Sequence, residues 1–245
     1  CLGAPIFGPA AGPRALRALG LDAQLRQRGI RARWETLLEP SAPKPPHPPM
    51  PDRLGLVSHL LHDLADTVAG ICHDGAIPLV LGGDHAIGAG TWRGVARSLA
   101  PRGKLGLIWI DAHLDAHTPL SSPSGNAHGM PLAALLGEGA PAMTAIPGPD
   151  LDPQRVAVLG ARSFERAELD RLQRLGVRVF TMDDIRLRGL AAVFADARRI
   201  VSAAGPWGIS LDLDAIDPEQ APGVSTPVPA GIAAADLDLA LHGVL

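Results

Sequence analysis

The stretch Leu105-Gly-Leu-Ile-Trp-Ile-Asp-Ala-His-Leu-Asp-Ala-His117 constrains this chain more than any other. Its apolar first half reads as a buried strand, and the strand stops abruptly at Asp111, His113 and Asp115. In an extended chain alternate side chains share a direction, so those three form one row of polar groups at a strand end. Two more segments repeat the pattern: Ile77-Pro-Leu-Val-Leu-Gly-Gly-Asp-His85, and Gly208-Ile-Ser-Leu-Asp-Leu-Asp214 with Asp212 and Asp214 again at alternate positions. The carboxyl ends of strands in an open parallel sheet converge on one crevice, so the three segments deliver their acids and imidazoles to one place. Asp or His after a single strand is as well explained by a turn or a helix cap. Three such ends together need a cation, because clustered carboxylates are otherwise too costly to bury.

Charge balance fixes the number of cations. Asp111, Asp115, Asp212 and Asp214 supply four negative charges, while His85 and His113 bind as neutral imidazoles, so two divalent ions close the account. At roughly 3.5 Å and an effective dielectric of about 20, two such ions repel by on the order of 20 kcal/mol, which calls for bridging carboxylates. Oxygen and nitrogen donors without thiolate suit manganese better than a structural zinc.

Composition narrows the rest. A chain of 245 residues can bury one large core, and we read residues 1–245 as a single domain. A formal charge of −3 with interspersed acids and bases leaves no basic stripe for nucleic acid. Two cysteines give no disulfide framework and fit a reducing, cytoplasmic setting. No apolar run reaches membrane-spanning length, so no membrane partner is expected. The first residue is Cys1 and not Met, and the expectation is a fragment, shortened at the C-terminal end as well.

Periodicity predicts one helix over Pro13–Arg28, a long amphipathic helix from Asp52 to a stop at Gly75, strands over Val156–Leu159 and Val177–Phe180, a helix over Glu165–Leu175, another over Ile185–Ser202 and a last one from Ala233. Proline crowding over Glu39–Pro51 predicts an exposed loop. Gly82-Gly83 lets the backbone turn from strand to helix with His85 at the helix start, and Asp84 is expected to support a ligand.

The motifs Gly82-Gly-Asp-His85, Asp111-Ala-His-Leu-Asp115 and Ser210-Leu-Asp-Leu-Asp-Ala-Ile-Asp-Pro218 resemble those of the ureohydrolase (arginase) family, most closely the bacterial type, and the resemblance runs over essentially the whole chain. It implies an α/β fold, a three-layer α/β/α sandwich around a mainly parallel doubly wound sheet. It also implies two Mn2+ per subunit, hydrolysis of a guanidino group and a homotrimer or homohexamer. By the family pattern His85 and Asp115 hold one manganese, His113 and Asp214 the other, with Asp111 and Asp212 bridging. The loop Thr118–Pro131 carries Ser124-Gly-Asn-Ala-His128, in which Ser124 and Asn126 match the residues that recognise an α-carboxylate and His128 a proton shuttle. His117 stands where animal arginases have a substrate-binding Asn, and Glu165 where they have an Asp near the α-amino group. Thr226, in Pro222–Gly231, matches a residue of the substrate region. The implied reaction turns L-arginine into L-ornithine and urea, with Asp115 orienting the nucleophile. The alternatives are a ureohydrolase acting on agmatine, a guanidino acid or formimidoylglutamate, and an inactive metal-binding fragment. In the arginases a further strand follows and carries a Glu for the guanidinium, which no residue here matches.

Overall fold

The computed structural model describes residues 2–40, 50–203 and 205–242. Its centre is a parallel sheet of β1 (Gly106–Ile110), β2 (Val156–Ala161), β3 (Arg178–Thr181) and β4 (Trp207–Leu211), in the spatial order β3-β2-β1-β4. The sheet is built outward from β1, which pairs Leu107 with Val156 on one side and Gly106 with Trp207 on the other. The chain therefore runs from β1 through β2 to β3, then returns to the opposite side of β1. That reversal places the topological switch point between β1 and β4.

Strands buried on both faces must be apolar at every position, and β1 and β2 are. Leu107, Trp109, Val156 and Val158 point into one core with Leu64, Val95 and Leu172. Ile108, Ile110, Ala157 and Leu159 point into the other with Phe180, Val193 and Phe194. Helices supply both outer layers. One holds α3 (Met50–His73), α4 (Ile87–Leu99), the short α5 (Pro131–Leu135) and α6 (Pro141–Thr144), and α7 (Arg166–Leu175). The other holds α8 (Met182–Arg188), α9 (Leu190–Ser202) and α10 (Ala234–Leu241). This is the three-layer α/β/α sandwich expected from the sequence. Helices α3 and α4 pack backbone to backbone, because Gly90 and Gly94 face the carbonyls of Leu61 and Ala65 with no side chain between.

Three expectations need correction. The helix predicted over Pro13–Arg28 is two, α1 (Gly12–Ala18) and α2 (Leu21–Gln27), because Gly20 adopts φ 73° between them. The helix predicted over Ile185–Ser202 is likewise split into α8 and α9 at Gly189, φ 80°. Thr181 and Asp184 form a capping box that starts α8 three residues earlier than the periodicity suggested. The strand predicted over Ile77–Leu81 joins no ladder among the described residues. Pro78 has no N–H to give, and Ile77 and Leu79, which share one face of the segment, are 93% and 65% exposed, while Val80 on the other face is partly buried against the core. Most of the proline-rich loop lies outside the described residues.

Candidate metal centre

The carboxyl ends of β1 and β4 meet at the switch point. Backbone hydrogen bonds continue one residue beyond each strand, Asp111 N to Leu159 O at 3.0 Å and Asp212 N to Ile110 O at 2.9 Å, so both aspartates are held as rigidly as strand residues. The chain then breaks into tight turns. Asp212 caps a single 3-10 turn, Leu213–Ala215, by accepting from Asp214 N. Asp115 sits at φ 49°, a left-handed conformation that a residue with a Cβ adopts only under constraint. The constraint is α5, whose Leu132 and Ala133 N–H groups both donate to the Asp115 carbonyl.

All six candidate ligands come together. His85 Nδ1 lies 2.9 Å from Asp111 Oδ2, 3.0 Å from Asp115 Oδ2 and 3.4 Å from Asp212 Oδ2. His113 Nδ1 lies 3.3 Å from Asp111 Oδ1 and 3.2 Å from Asp214 Oδ2. Two triplets could each hold an ion, His85 with Asp111 and Asp212, and Asp111 with His113 and Asp214. Asp111 belongs to both and turns one oxygen to each. His85 arrives without a ladder, positioned instead by Ser210 on its Nε2 at 2.9 Å and by stacking on Trp109, ring centres 4.0 Å apart. Trp109 also donates Nε1–H to Asp111 Oδ2 at 3.0 Å.

These residues fit divalent cations. The donors are oxygen and imidazole nitrogen, no thiolate joins either triplet, and Asp115 Oδ2 is buried with no aligned hydrogen bond of its own. Without ions the cluster balances itself with protons. Burial alone would lower His113, but its hydrogen bonds to Asp111 and Asp214 outweigh burial and push it up to about 11. His85 is raised well above its ordinary value in the same way, against burial, by Asp111 and Asp115. Burial, then the charge of Asp111, lifts Asp115 well above the carboxylate range and Asp212 up to about 7. Asp111 goes the other way: burial would raise it, but the hydrogen bonds to His113 and His85 win.

Thr226 donates to Asp214 Oδ2 at 3.1 Å, so its hydroxyl steadies a candidate ligand. Ser124 is exposed and its Oγ accepts from Asn126 N, while half-buried Asn126 opens the short turn Ala127–Gly129. His128 lies in that turn, tied by its N–H to Gly3 O, and burial lowers its imidazole pKa. Asp84, next to His85, accepts from Ala86 N and Gly3 N.

His117 forms a second acidic cluster, with Nε2 2.8 Å from Glu165 Oε2 and 3.2 Å from Glu168 Oε2. Burial would lower its pKa, but Glu168 first and Glu165 next hold it above the ordinary value. Sequence reasoning missed Glu168. It is 2% exposed and accepts from the N–H groups of both Ala116 and Glu165. Its signal was available, since Glu165 and Glu168 stand three apart at a helix start and form a capping box.

With this geometry in view, likeness to known proteins is specific. The profile of the Arginase family matches residues 6–245. The arginase of Brevibacillus brevis is 41% identical over 239 residues, covering 94% of this chain and 78% of the relative. A crystal structure of Bacillus subtilis arginase superposes with a TM-score of 0.90 at 35% identity, covering all of this chain and 82% of that one. Entamoeba histolytica arginase, crystallised with L-ornithine, gives 0.82 at 31% identity over the same shares. The sequence, the sheet and the cluster at its switch point agree, and the chain belongs to the arginase family.

Proposed function

We propose that this chain is a dimanganese hydrolase that converts L-arginine to L-ornithine and urea. The observation that carries the reading is the convergence of four carboxylates and two imidazoles on the β1–β4 crevice, with Asp111 facing both imidazoles. His85 and Asp115 would hold one Mn2+, His113 and Asp214 the other, with Asp111 and Asp212 shared between them. Two divalent cations so placed lower the pKa of water toward neutrality and neutralise charge that develops on the substrate.

The protein's own groups do the remaining work. Asp115, whose Oδ2 has no aligned donor, accepts a hydrogen bond from the attacking water and directs its oxygen at the guanidinium carbon. The tetrahedral adduct collapses by breaking the bond to the side-chain nitrogen, which leaves with a proton as an ammonium while urea leaves neutral. One positive charge enters with the guanidinium and one leaves with ornithine, so the balance closes. His128, half-buried and held toward its neutral form, exchanges protons between site and solvent. Ser124 and Asn126 offer neutral donors to the α-carboxylate. Glu165, with Glu168 and His117 behind it, faces the α-ammonium, while Thr226 forms part of the floor. The same reading takes the protein as a cytoplasmic homotrimer or homohexamer, which sedimentation will test.

A site built to pair polar substrate groups rejects analogues lacking them by factors that can reach about 10⁴, because its own groups are left dry. Agmatine lacks the α-carboxylate. Urea release with Mn2+ should therefore favour L-arginine over agmatine, and Asn126→Ala should narrow the gap by weakening arginine. An equal or higher kcat/KM for agmatine would assign a different ureohydrolase activity. Two bound ions with no urea released from any guanidino compound would favour the inactive alternative.

A further inference from the structure

Arg162 stands one residue beyond β2 and takes no part in the chemistry above, yet its side chain is the most fully used in the crevice. Nε donates to Pro229 O at 3.1 Å, Nη1 to Gly160 O at 3.4 Å and Ala215 O at 3.2 Å, and Nη2 to Asp214 O at 2.8 Å and Val228 O at 2.7 Å. A guanidinium has five N–H donors in a rigid plane, and here each meets one backbone carbonyl. The main chain of Arg162 is committed as well, its N–H bonding Ala112 O at 2.8 Å between Asp111 and His113. One residue thus links the ligand turn after β1, the ligand turn after β4 and the loop that brings Thr226 to Asp214. The loop side is shaped to receive it. Ala230 is held at φ 61°, and a Cβ on Gly231 would lie 2.6 Å from Asp217 N and 2.7 Å from both Nη2 and Ile216 C, so the loop closes on Arg162 and on the turn after β4 together.

We propose that Arg162 is a positioning residue: it sets the distance between the two ligand turns and thereby holds Asp214 and the Thr226 loop in the geometry that the His113/Asp214 ion requires. The part concerning the ion rests on the dimanganese reading above. The clamp itself does not.

Two changes test it from opposite sides. Arg162→Lys keeps the charge but gathers its donors on one nitrogen, which cannot span five carbonyls in three segments. Gly231→Ala leaves Arg162 intact and pushes a methyl between its Nη2 and the backbone of Ile216 and Asp217, forcing apart the loop and the turn that the guanidinium joins. Hydrogen exchange on the full metal-free chain should show both variants losing protection, by about tenfold or more, at residues 213–216 and 226–231, with β1 and β2 amides and Asp212 N, which bonds Ile110 O, unchanged, as expected for a local opening. Titration with Mn2+ should show one ion retained at wild-type affinity and the other weakened by about 10- to 100-fold, the usual cost of losing a ligand's support. Equal weakening of both ions, or protection lost throughout the sheet, would make Arg162 a general brace and overturn the proposal. So would wild-type exchange in both variants. If the wild type binds fewer than two ions, the dimanganese reading fails while the exchange data still decide the clamp.

Discussion

Replacing Trp109 by Phe probes how far the metal centre depends on groups that never touch an ion. Trp109 is fully buried on β1, stacks on His85 with 19° between the rings, and gives Asp111 Oδ2 a hydrogen bond of 3.0 Å. His85 Nδ1 is the other donor to that oxygen in the ion-free chain, and it is surrendered when His85 becomes a ligand. Among the described residues, Trp109 is then the remaining hydrogen-bond donor to Oδ2. A hydrogen bond to a charged acceptor contributes about 1.5–3 kcal/mol, which corresponds to roughly 10- to 150-fold in a binding constant. Measured losses on removing such supporting partners, about 10- to 100-fold, span the same range. Trp109→Phe also empties the volume of the second ring, which lowers folding stability without singling out the metals. Two assays separate the contributions: Mn2+ competition against a chelator on folded protein, and urea denaturation of the ion-free chain. Gly88→Ala is the control, since its Cβ would lie 2.7 Å from the Trp109 ring and disturbs packing while sparing the N–H. A Phe variant that loses stability but keeps its Mn2+ affinity within about twofold, well inside the range for a lost charged hydrogen bond, would show that Trp109 only fills space.

Asp111→Ala and Asp212→Ala should each empty both positions, because a bridging carboxylate serves both ions; one full equivalent of Mn2+ left in either variant would remove that residue's bridging assignment. His128→Asn should lower kcat and leave metal content near wild type, whereas loss of an ion would mean that the imidazole is a ligand. Gly94→Ala gains about 1 kcal/mol in helix propensity, but its Cβ would lie 2.5 Å from Ala65 O, so prying α3 from α4 costs about 1–3 kcal/mol and the net change in urea denaturation should be destabilising. Glu138, held below the usual carboxylate range by its hydrogen bond from Arg174, contributes stability that is complete above its unfolded pKa of about 4.3 and lost as pH falls through its folded value. Glu138→Gln should therefore trail wild type at neutral pH and converge with it in acid, and a gap that persists in acid would place its origin elsewhere.

The residues easiest to read were those whose chemistry conflicts with their surroundings. Asp111, Asp115 and Asp214 are buried acids at apolar strand ends, a conflict that only a cation or a proton resolves, so pattern alone pointed to their role. The sheet order was less legible, since it depends on which strands pair, and pairing leaves little trace in any one strand. The failure over Ile77–Leu81 has that origin: its apolar run is real, but strand assignment requires a partner and the described residues offer it none.

Residues that act through backbone atoms were the hardest to see. Arg162 and Glu168 carry charges but spend them largely on main-chain groups, Arg162 on five carbonyls and Glu168 on two N–H groups besides its contact with His117. A sequence displays side chains and hides the backbone groups they will meet. A charged residue next to a motif therefore reads as a solvated surface group until the fold shows how many orphan carbonyls or amides converge on it. In this chain the ligand turns after β1 and β4 leave helix and sheet hydrogen bonding abruptly, and their unpaired backbone groups have to be satisfied somewhere. The metal ligands were legible because they break the apolar pattern, and Arg162 and Glu168 repair the backbone where that break occurs.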